Sequence, residues 1–384
     1  MTTGDVPEAQ GVLIAAFSGR ALAAAARRAG YAPLVADLFA DEDTAGLAAG
    51  CARVKGNLAD GFRAEDLLEC LEALAARHPA PIGFVYGAGF EARPALLAEI
   101  GRRWPILGNV PDVLARLKEP ETFAAACRKL GIPHPEIARH CPADPDGWLR
   151  KQAGGAGGAH IVPAGGTGAG GEGSYFQRQV EGKAVSALFA AARDGVRMLG
   201  FSEQWRAPSA AEPFRFGGAV RPAQLPPRGE AELGEAVRLA AREFGLLGLN
   251  SADFIWGENG WWLLEINPRP GATLDIFDSA AAPLFSLHLA AVMNRPLPRP
   301  PRLSGAAATR IVYASRAIVV PPGLCYPEWM VDRPCPGAHL GADDPFCTVL
   351  ARGETACEAM ASCAQRARHW LTVFEEHEEW IRAS

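Results

Sequence analysis

Residues 251–271 read SADFIWGENGWWLLEINPRPG, and this stretch restricts the fold more than any other. Two runs rich in aromatic and branched residues, ADFIW and WWLLEIN, flank Gly257-Glu258-Asn259-Gly260, which predicts a β-hairpin. The second run stays apolar until Glu265, Asn267 and Arg269, which are spaced two apart and so share one strand face. Turn length decides what lies opposite Glu265. A two-residue Asn259-Gly260 turn sets Asp253 against Ile266. A three-residue loop ending in a left-handed Gly260 sets Asp253 against Glu265. In that register two carboxylates stand roughly 5 Å apart at Cβ, a like-charge pair that a cation between them would relieve. Asp253, Glu265 and Asn267 together offer oxygen donors suited to Mg²⁺, and Arg269 on the same side reaches a phosphoryl group. Taken alone, the stretch also permits a simpler reading, with Asp253 capping a turn and Glu265 paired to an arginine.

With 384 residues, 49% of them hydrophobic, the chain can bury a large core and divides into two to four domains. GVLIAAF, a turn at Ser18-Gly19-Arg20, the helix ALAAAARRAG and the strand YAPLVADLF alternate in the manner of a parallel α/β domain. A further helix, AEDLLECLEALAARH, and the strand PIGFVYGAG continue this to about residue 110. Residues 112–130 read as one helix closed by Gly131, and Pro133 and Pro135 break the chain after it. Strands flanking a glycine-rich middle, a Pro/Arg-rich stretch at 206–228 and a helix at 230–244 lead to the hairpin. The linker NRPLPRPPRL precedes a small α+β unit over 304–384, whose last helix carries the solvated acidic patch Glu375-Glu376-His377-Glu378-Glu379.

The net charge of −5 gives no case for general nucleic-acid or membrane-surface binding. No apolar run approaches the length of a bilayer span, and MTTGDVPEAQ lacks signal-peptide architecture, so a cytoplasmic location is expected. The nine cysteines form no CxxC pair and read as reduced thiols. HExxH and HxH are absent.

Gly166, Gly168 and Gly171 satisfy GxGxxG, but no clear strand precedes them and no helix follows, so a dinucleotide fingerprint is not supported. No Gly-Lys-Ser/Thr triplet makes a P-loop there. A hairpin lid over phosphates, with Gly154, Gly155, Gly157 and Gly158 letting the backbone approach, fits better, and Lys151 supplies a point charge beside it. A plain surface loop is the competing reading.

In this order the motifs resemble the ATP-grasp superfamily, in its carboxylate–amine ligase branch related to biotin carboxylase, over residues 110–290. LKEPETFAAACRKLGIPHP is similar to the segment with the first phosphate-binding lysine, here Lys118, and WLRKQAGGAGG to the second lysine, Lys151, and the glycine loop. YFQRQVEG resembles the adenine-binding hinge, with Gln177, Gln179, Val180 and Glu181 as candidates; glutamine stands at 177 and 179 where glutamate is common. The resemblance implies an ATP-grasp fold: a pre-grasp parallel α/β domain (1–110), a grasp subdomain with the lid (111–182), a second with the metal site (183–300), and the C-terminal α+β unit (304–384). It implies ATP with two Mg²⁺, or Mn²⁺, on Asp253, Glu265 and Asn267. Lys118 and Lys151 would hold phosphates, and Arg269 and Lys151 would act in catalysis. The expected reaction is C–N bond formation through an acylphosphate, and no protein nucleophile is required.

The substrates expected are a small anionic acid, held in part by Arg215 and Arg221 of the Pro/Arg-rich stretch, and an amine. Neither nucleic acid nor membrane is expected as a partner, and a homodimer is the candidate assembly. DRPCPG and FCTVLARGET resemble the tail of a prokaryotic subgroup of ATP-dependent ligases, some of whose relatives serve one-carbon coenzyme synthesis. An ATP-dependent phosphotransferase and a non-catalytic ATP-binding module are the alternatives. A Rossmann oxidoreductase is weaker, because its only fingerprint sits in the wrong context.

Overall fold

The computed structural model describes residues 9–78, 80–166, 171, 173–300 and 302–383, with side chains described up to 374. Gly168 of the GxGxxG triplet and the side chains of the acidic patch lie outside this set. Gly11–Ala16, Ala32–Asp37, Gly50–Arg53 and Phe84–Tyr86 form a four-stranded parallel sheet, with Gly11–Ala16 between Ala32–Asp37 and Phe84–Tyr86. Its residues alternate between two cores. Leu13, Ala15, Leu34 and Ala36 pack with Leu67, Leu71 and Phe90, while Val12, Ile14 and Val35 pack with Leu188, Leu249, Phe277 and Phe285 of the central unit. Strand alternation thus lets one sheet bury both faces, as parallel sheets do. Each large side chain so buried is worth about 1.5–3 kcal/mol.

The expected helix at 112–130 is two helices, Pro111–Lys118 and Pro120–Leu130. Pro120 disfavours a helical residue before it, so Glu119 is extended, and its side chain instead caps the next helix by accepting from the Thr122 N–H. The break leaves Lys118 as the last residue of the first helix.

Two antiparallel sheets follow. Ile137–Ala138, Ser174–Arg178, Trp148–Gln152 and Val162–Pro163 form the smaller one, in that spatial order. The larger has eight strands. In spatial order these are Gly260–Asn267, Gly248–Gly257, Lys183–Ala192, Gly195–Arg206, Phe216–Arg221, Ala306–Tyr313, Pro345–Gly353 and Met330–Val331. The C-terminal strands therefore hydrogen-bond onto the central sheet through Phe216–Arg221 and Ala306–Tyr313. Helix Pro227–Phe244 covers one face of this sheet, its Leu233, Val237 and Phe244 meeting Phe189 and Phe254.

Candidate active site

The hairpin brings Asp253 opposite Glu265, but by a route other than the expected three-residue loop. Gly257 pairs Gly260, so the turn is the two residues Glu258-Asn259. Pairing then runs Trp256–Trp261, Ile255–Trp262 and Phe254–Leu263, and there the register shifts. Leu264 is the extra residue of a β-bulge, and beyond it Asp253 pairs Glu265 and Ser251 pairs Asn267. The bulge keeps both faces consistent. Leu263 and Ile266 stay in the core, while Leu264 and Glu265, although consecutive, both line the cleft.

Lys118 reaches this face from its helix end. Its Nζ donates to Glu265 Oε2 and to Asn267 Oδ1, both at 2.9 Å. Asn267 Nδ2 donates to Asp253 Oδ2 at 3.0 Å. Asp253 Oδ1 is buried without a hydrogen-bond partner among the described residues. Burial and the Glu265 charge raise the Asp253 carboxyl to about 6. Glu265 keeps 37% of its side-chain surface exposed. Partial burial alone would raise its pKa, but Lys118 and Lys151 overcome it and hold the carboxyl near 2. No group of three or more His, Cys, Asp or Glu that suits a metal occurs among the described residues. Two carboxylates and an amide nonetheless fit Mg²⁺, whose shell is usually completed by water and substrate phosphate, and the Asp253 oxygen without a partner is open to a cation.

Lys151 comes from strand Trp148–Gln152 of the smaller sheet. It is 6% exposed, donates to Gln177 Oε1 at 3.1 Å and lies 6.0 Å from the Tyr175 ring centroid. Burial lowers its pKa, against the attraction of Glu265 and Asp253. The hinge candidates separate: Gln177 lines the cleft beside Lys151, whereas Gln179 and Glu181 are exposed and, with Val180, lie outside that lining. Phe123, His134, His160 and Tyr175 complete the cleft without any motif to announce them. Burial holds His134 and His160 near 4, so both are neutral at pH 7.

The glycine loop is folded down on this cleft. Gly154 has φ +72° and would place a Cβ 2.7 Å from the Ala92 backbone. Gly158 has φ +77° and packs against the Phe214 carbonyl, and the Gly157 carbonyl accepts from the Phe216 N–H at 2.9 Å. Gly155 packs against the His160 ring. With the loop seated, the cleft keeps a free volume of about 30 Å³.

Arg269 is held by a residue that no sequence motif signalled. Its Nε and Nη2 each lie 2.7 Å from Glu91 Oε1, and the Gly89 N–H donates to Glu91 Oε2 at 2.7 Å. Burial would raise the Glu91 carboxyl, but Arg269 and Lys118 hold it below its ordinary value. Tyr86 and Asn109 donate to the Pro268 carbonyl at 3.1 and 2.9 Å, so the N-terminal unit fixes where the hairpin strand ends.

The two candidate substrate arginines are not at the cleft. Arg215 is consumed by its own neighbours: it donates to the Ala207 carbonyl at 2.9 Å, pairs with Asp343 at 3.0 Å and stacks 3.7 Å over the Tyr313 ring. That withdraws Arg215 as a substrate ligand. Arg221 donates to the Ile276 and Gly305 carbonyls and opens on a second cavity.

Residues 122–273, which contain Lys151, the glycine loop and the carboxylate hairpin, match the family model described as an ATP-grasp domain. Over its length the chain has the ATP-grasp fold, with a parallel N-terminal unit. Among solved structures it is similar to biotin carboxylase from Campylobacter jejuni, at 14% identity and TM-score 0.70 over 92% of this chain and 89% of that one. It is also similar to N5-carboxyaminoimidazole ribonucleotide synthetase from Thermotoga maritima, at 15% identity and TM-score 0.64 over 94% and 98%. A third is the biotin carboxylase domain dimer of Hydrogenobacter thermophilus 2-oxoglutarate carboxylase, in complex with MgADP, ADP and bicarbonate, at 15% identity and TM-score 0.69 over 93% and 89%. No curated protein matches in sequence.

Proposed function

We propose that this protein is an ATP-dependent carboxylate–amine ligase that activates a small anionic acid as its acylphosphate. One observation carries the reading. Lys118 and Lys151 converge on a hairpin whose paired carboxylates keep one buried oxygen unsatisfied, beside an arginine already fixed by Glu91.

ATP is the phosphoryl donor, with adenine against Gln177 and the apolar cleft wall and the backbone of Gln179–Glu181 at the hinge. Asp253, Glu265 and Asn267 are the residues that would hold Mg²⁺, which would supply positive charge against the phosphates. Lys118 and Lys151 position the phosphate chain under the loop of Gly154, Gly155, Gly157 and Gly158. Arg269 balances charge on the transferring group, and Glu91 fixes its guanidinium so that little reorganisation is needed. The acid's carboxylate oxygen attacks the γ-phosphorus as the bond to ADP breaks. An amine then displaces phosphate to form the amide.

We assign 1–110 to the pre-grasp domain, 111–182 and 183–300 to the two grasping subdomains, and 304–384 to the C-terminal unit. The acid and amine are the partners, a homodimer is the proposed assembly, and Mn²⁺ would serve in place of Mg²⁺. The resemblance of DRPCPG and FCTVLARGET supports a place in one-carbon coenzyme biosynthesis. No helix among the described residues is long and apolar enough to cross a membrane, which suits a cytoplasmic site of action.

The test incubates the protein with ATP, Mg²⁺ and a panel of small acids, with and without hydroxylamine. Acid-dependent hydroxamate supports the ligase. A stable phosphorylated product would replace it with a phosphotransferase, and neither product with a binding module.

A further inference from the structure

A cavity of about 670 Å³, in the size range of small-molecule sites, lies where the N-terminal unit, the central sheet and the C-terminal strands meet. Six arginines line it, Arg20, Arg28, Arg221, Arg302, Arg333 and Arg352, against three carboxylates, Asp43, Asp275 and Asp278, an excess of three positive charges (six minus three). The carboxylates are already engaged. Arg20 donates to both Asp275 oxygens at 2.7 and 2.5 Å and lies 3.9 Å from Asp43, and Arg28 donates to Asp278 at 2.9 Å. The other four arginines have no carboxylate within ion-pair range among the described residues. Among the described residues, Arg221 and Arg333 donate only to backbone carbonyls, those of Ile276 and Gly305 and of Met330 and Pro327.

Sheet register arranges two of these arginines. Arg221 pairs Ala307, and Ala307 pairs Arg352, so the three form one row across adjacent strands and point to one face. Strands are about 4.8 Å apart, which sets the two arginine backbones roughly 10 Å from each other over an alanine too small to fill the gap. Burial and the Arg352 charge both disfavour the Arg221 cation, so the unliganded row is electrostatically unfavourable. An oxyanion between the two forks reverses the sign of that interaction. Guanidinium geometry matches carboxylate or phosphate oxygens in pairs, and a recess of one charge sign concentrates such ligands.

We propose that this cavity is a subsite for a small oxyanion bearing two negative charges, a dicarboxylate or a phosphomonoester, gripped between Arg221 and Arg352 with Arg302 closing it from the linker. Its assignment to the charged end of a ligase substrate rests on the function proposed above; binding of the anion does not.

The full-length protein is titrated calorimetrically, without ATP and at constant ionic strength, with inorganic phosphate, glutarate and, as a single-charge control, acetate. Phosphate or glutarate is expected to bind at least tenfold more tightly than acetate, with preference between them identifying the chemistry. Arg352→Ala is expected to weaken that binding at least tenfold, and Arg193→Ala, an exposed arginine on another turn, to leave it unchanged. Arg302→Ala, also exposed, supplies the same reading if Arg352→Ala fails to fold. Binding no tighter than acetate, equal losses in Arg193→Ala, or displacement of the probe by ADP overturns the proposal. Anion binding without hydroxamate formation would refute the ligase and leave the subsite standing.

Discussion

Asp253 and Glu265 share an environment yet titrate in opposite directions, because only Glu265 touches the Lys118 ammonium. Asp253 is raised to about 6, so the ionised form that Mg²⁺ needs is lost as pH falls through that value. The stabilisation that MgADP confers on the protein should therefore grow between pH 5 and 7.5, and thermal melts across that window would show it. A flat profile would mean that Asp253 is not a ligand. The raised value also has a sign for the free protein. Ionised Asp253 is unfavourable in the fold, so its contribution worsens as pH rises from about 4 through 6. Glu265→Gln keeps the shape of the side chain and removes its charge. It should lower ATP turnover by on the order of a hundredfold or more, with circular dichroism unchanged. Near-normal ADP release in that variant would be fatal to the metal reading. Sequence spacing pointed to Glu265, Asn267 and Arg269, since a period of two puts such residues on one face, whereas Asp253 joined them only under one of two possible hairpin registers. Glu91 was not legible, because nothing local to FEARP reveals that it meets an arginine 178 positions later.

Elements explain how those residues are brought to one place. A two-residue turn alone would have set Asp253 against Leu264, and the bulge at Leu264 restores the carboxylate pair. Turn rules read the loop and cannot read a bulge, which is decided by the core demand that Leu263 and Ile266 both point inward. The glycine loop depends on glycine for two separate reasons at Gly154, a positive φ and a close approach to the Ala92 backbone. Gly154→Val should cost about 1–2 kcal/mol in backbone conformation and keep the loop from seating. The expected result is a KM for ATP raised about tenfold or more with little change in melting temperature, read from steady-state ADP release. An unchanged KM would show that the seated loop is not the form that binds ATP.

Across the whole molecule, one arginine joins three units. Arg20, at the end of the first strand's turn, pairs with Asp275 after the hairpin and with Asp332 near the C-terminus, while Asp43 accepts from the Asp332 and Arg333 N–H groups. Arg20→Ala leaves these buried carboxylates uncompensated and should destabilise the protein by about 3–5 kcal/mol, measurable as a lower midpoint in urea unfolding. A loss under 1 kcal/mol would mean that water screens the cluster. The alternation of strand and helix up to residue 110, the hairpin and the glycine loop were all legible in the sequence, because each is set by local periodicity or backbone freedom. The sharing of one sheet between the central and C-terminal strands was not, since antiparallel partners far apart in sequence carry no mark of each other. Local pattern determined that this chain has a carboxylate strand, a lysine before a glycine-rich loop, and a parallel N-terminal unit. Only tertiary packing decided that Glu91 holds Arg269, that Arg215 is spent on Asp343, and that Arg221 and Arg352 face each other across Ala307. Those pairings depend on which distant surfaces exclude water together, a property of the folded whole that no window of sequence contains.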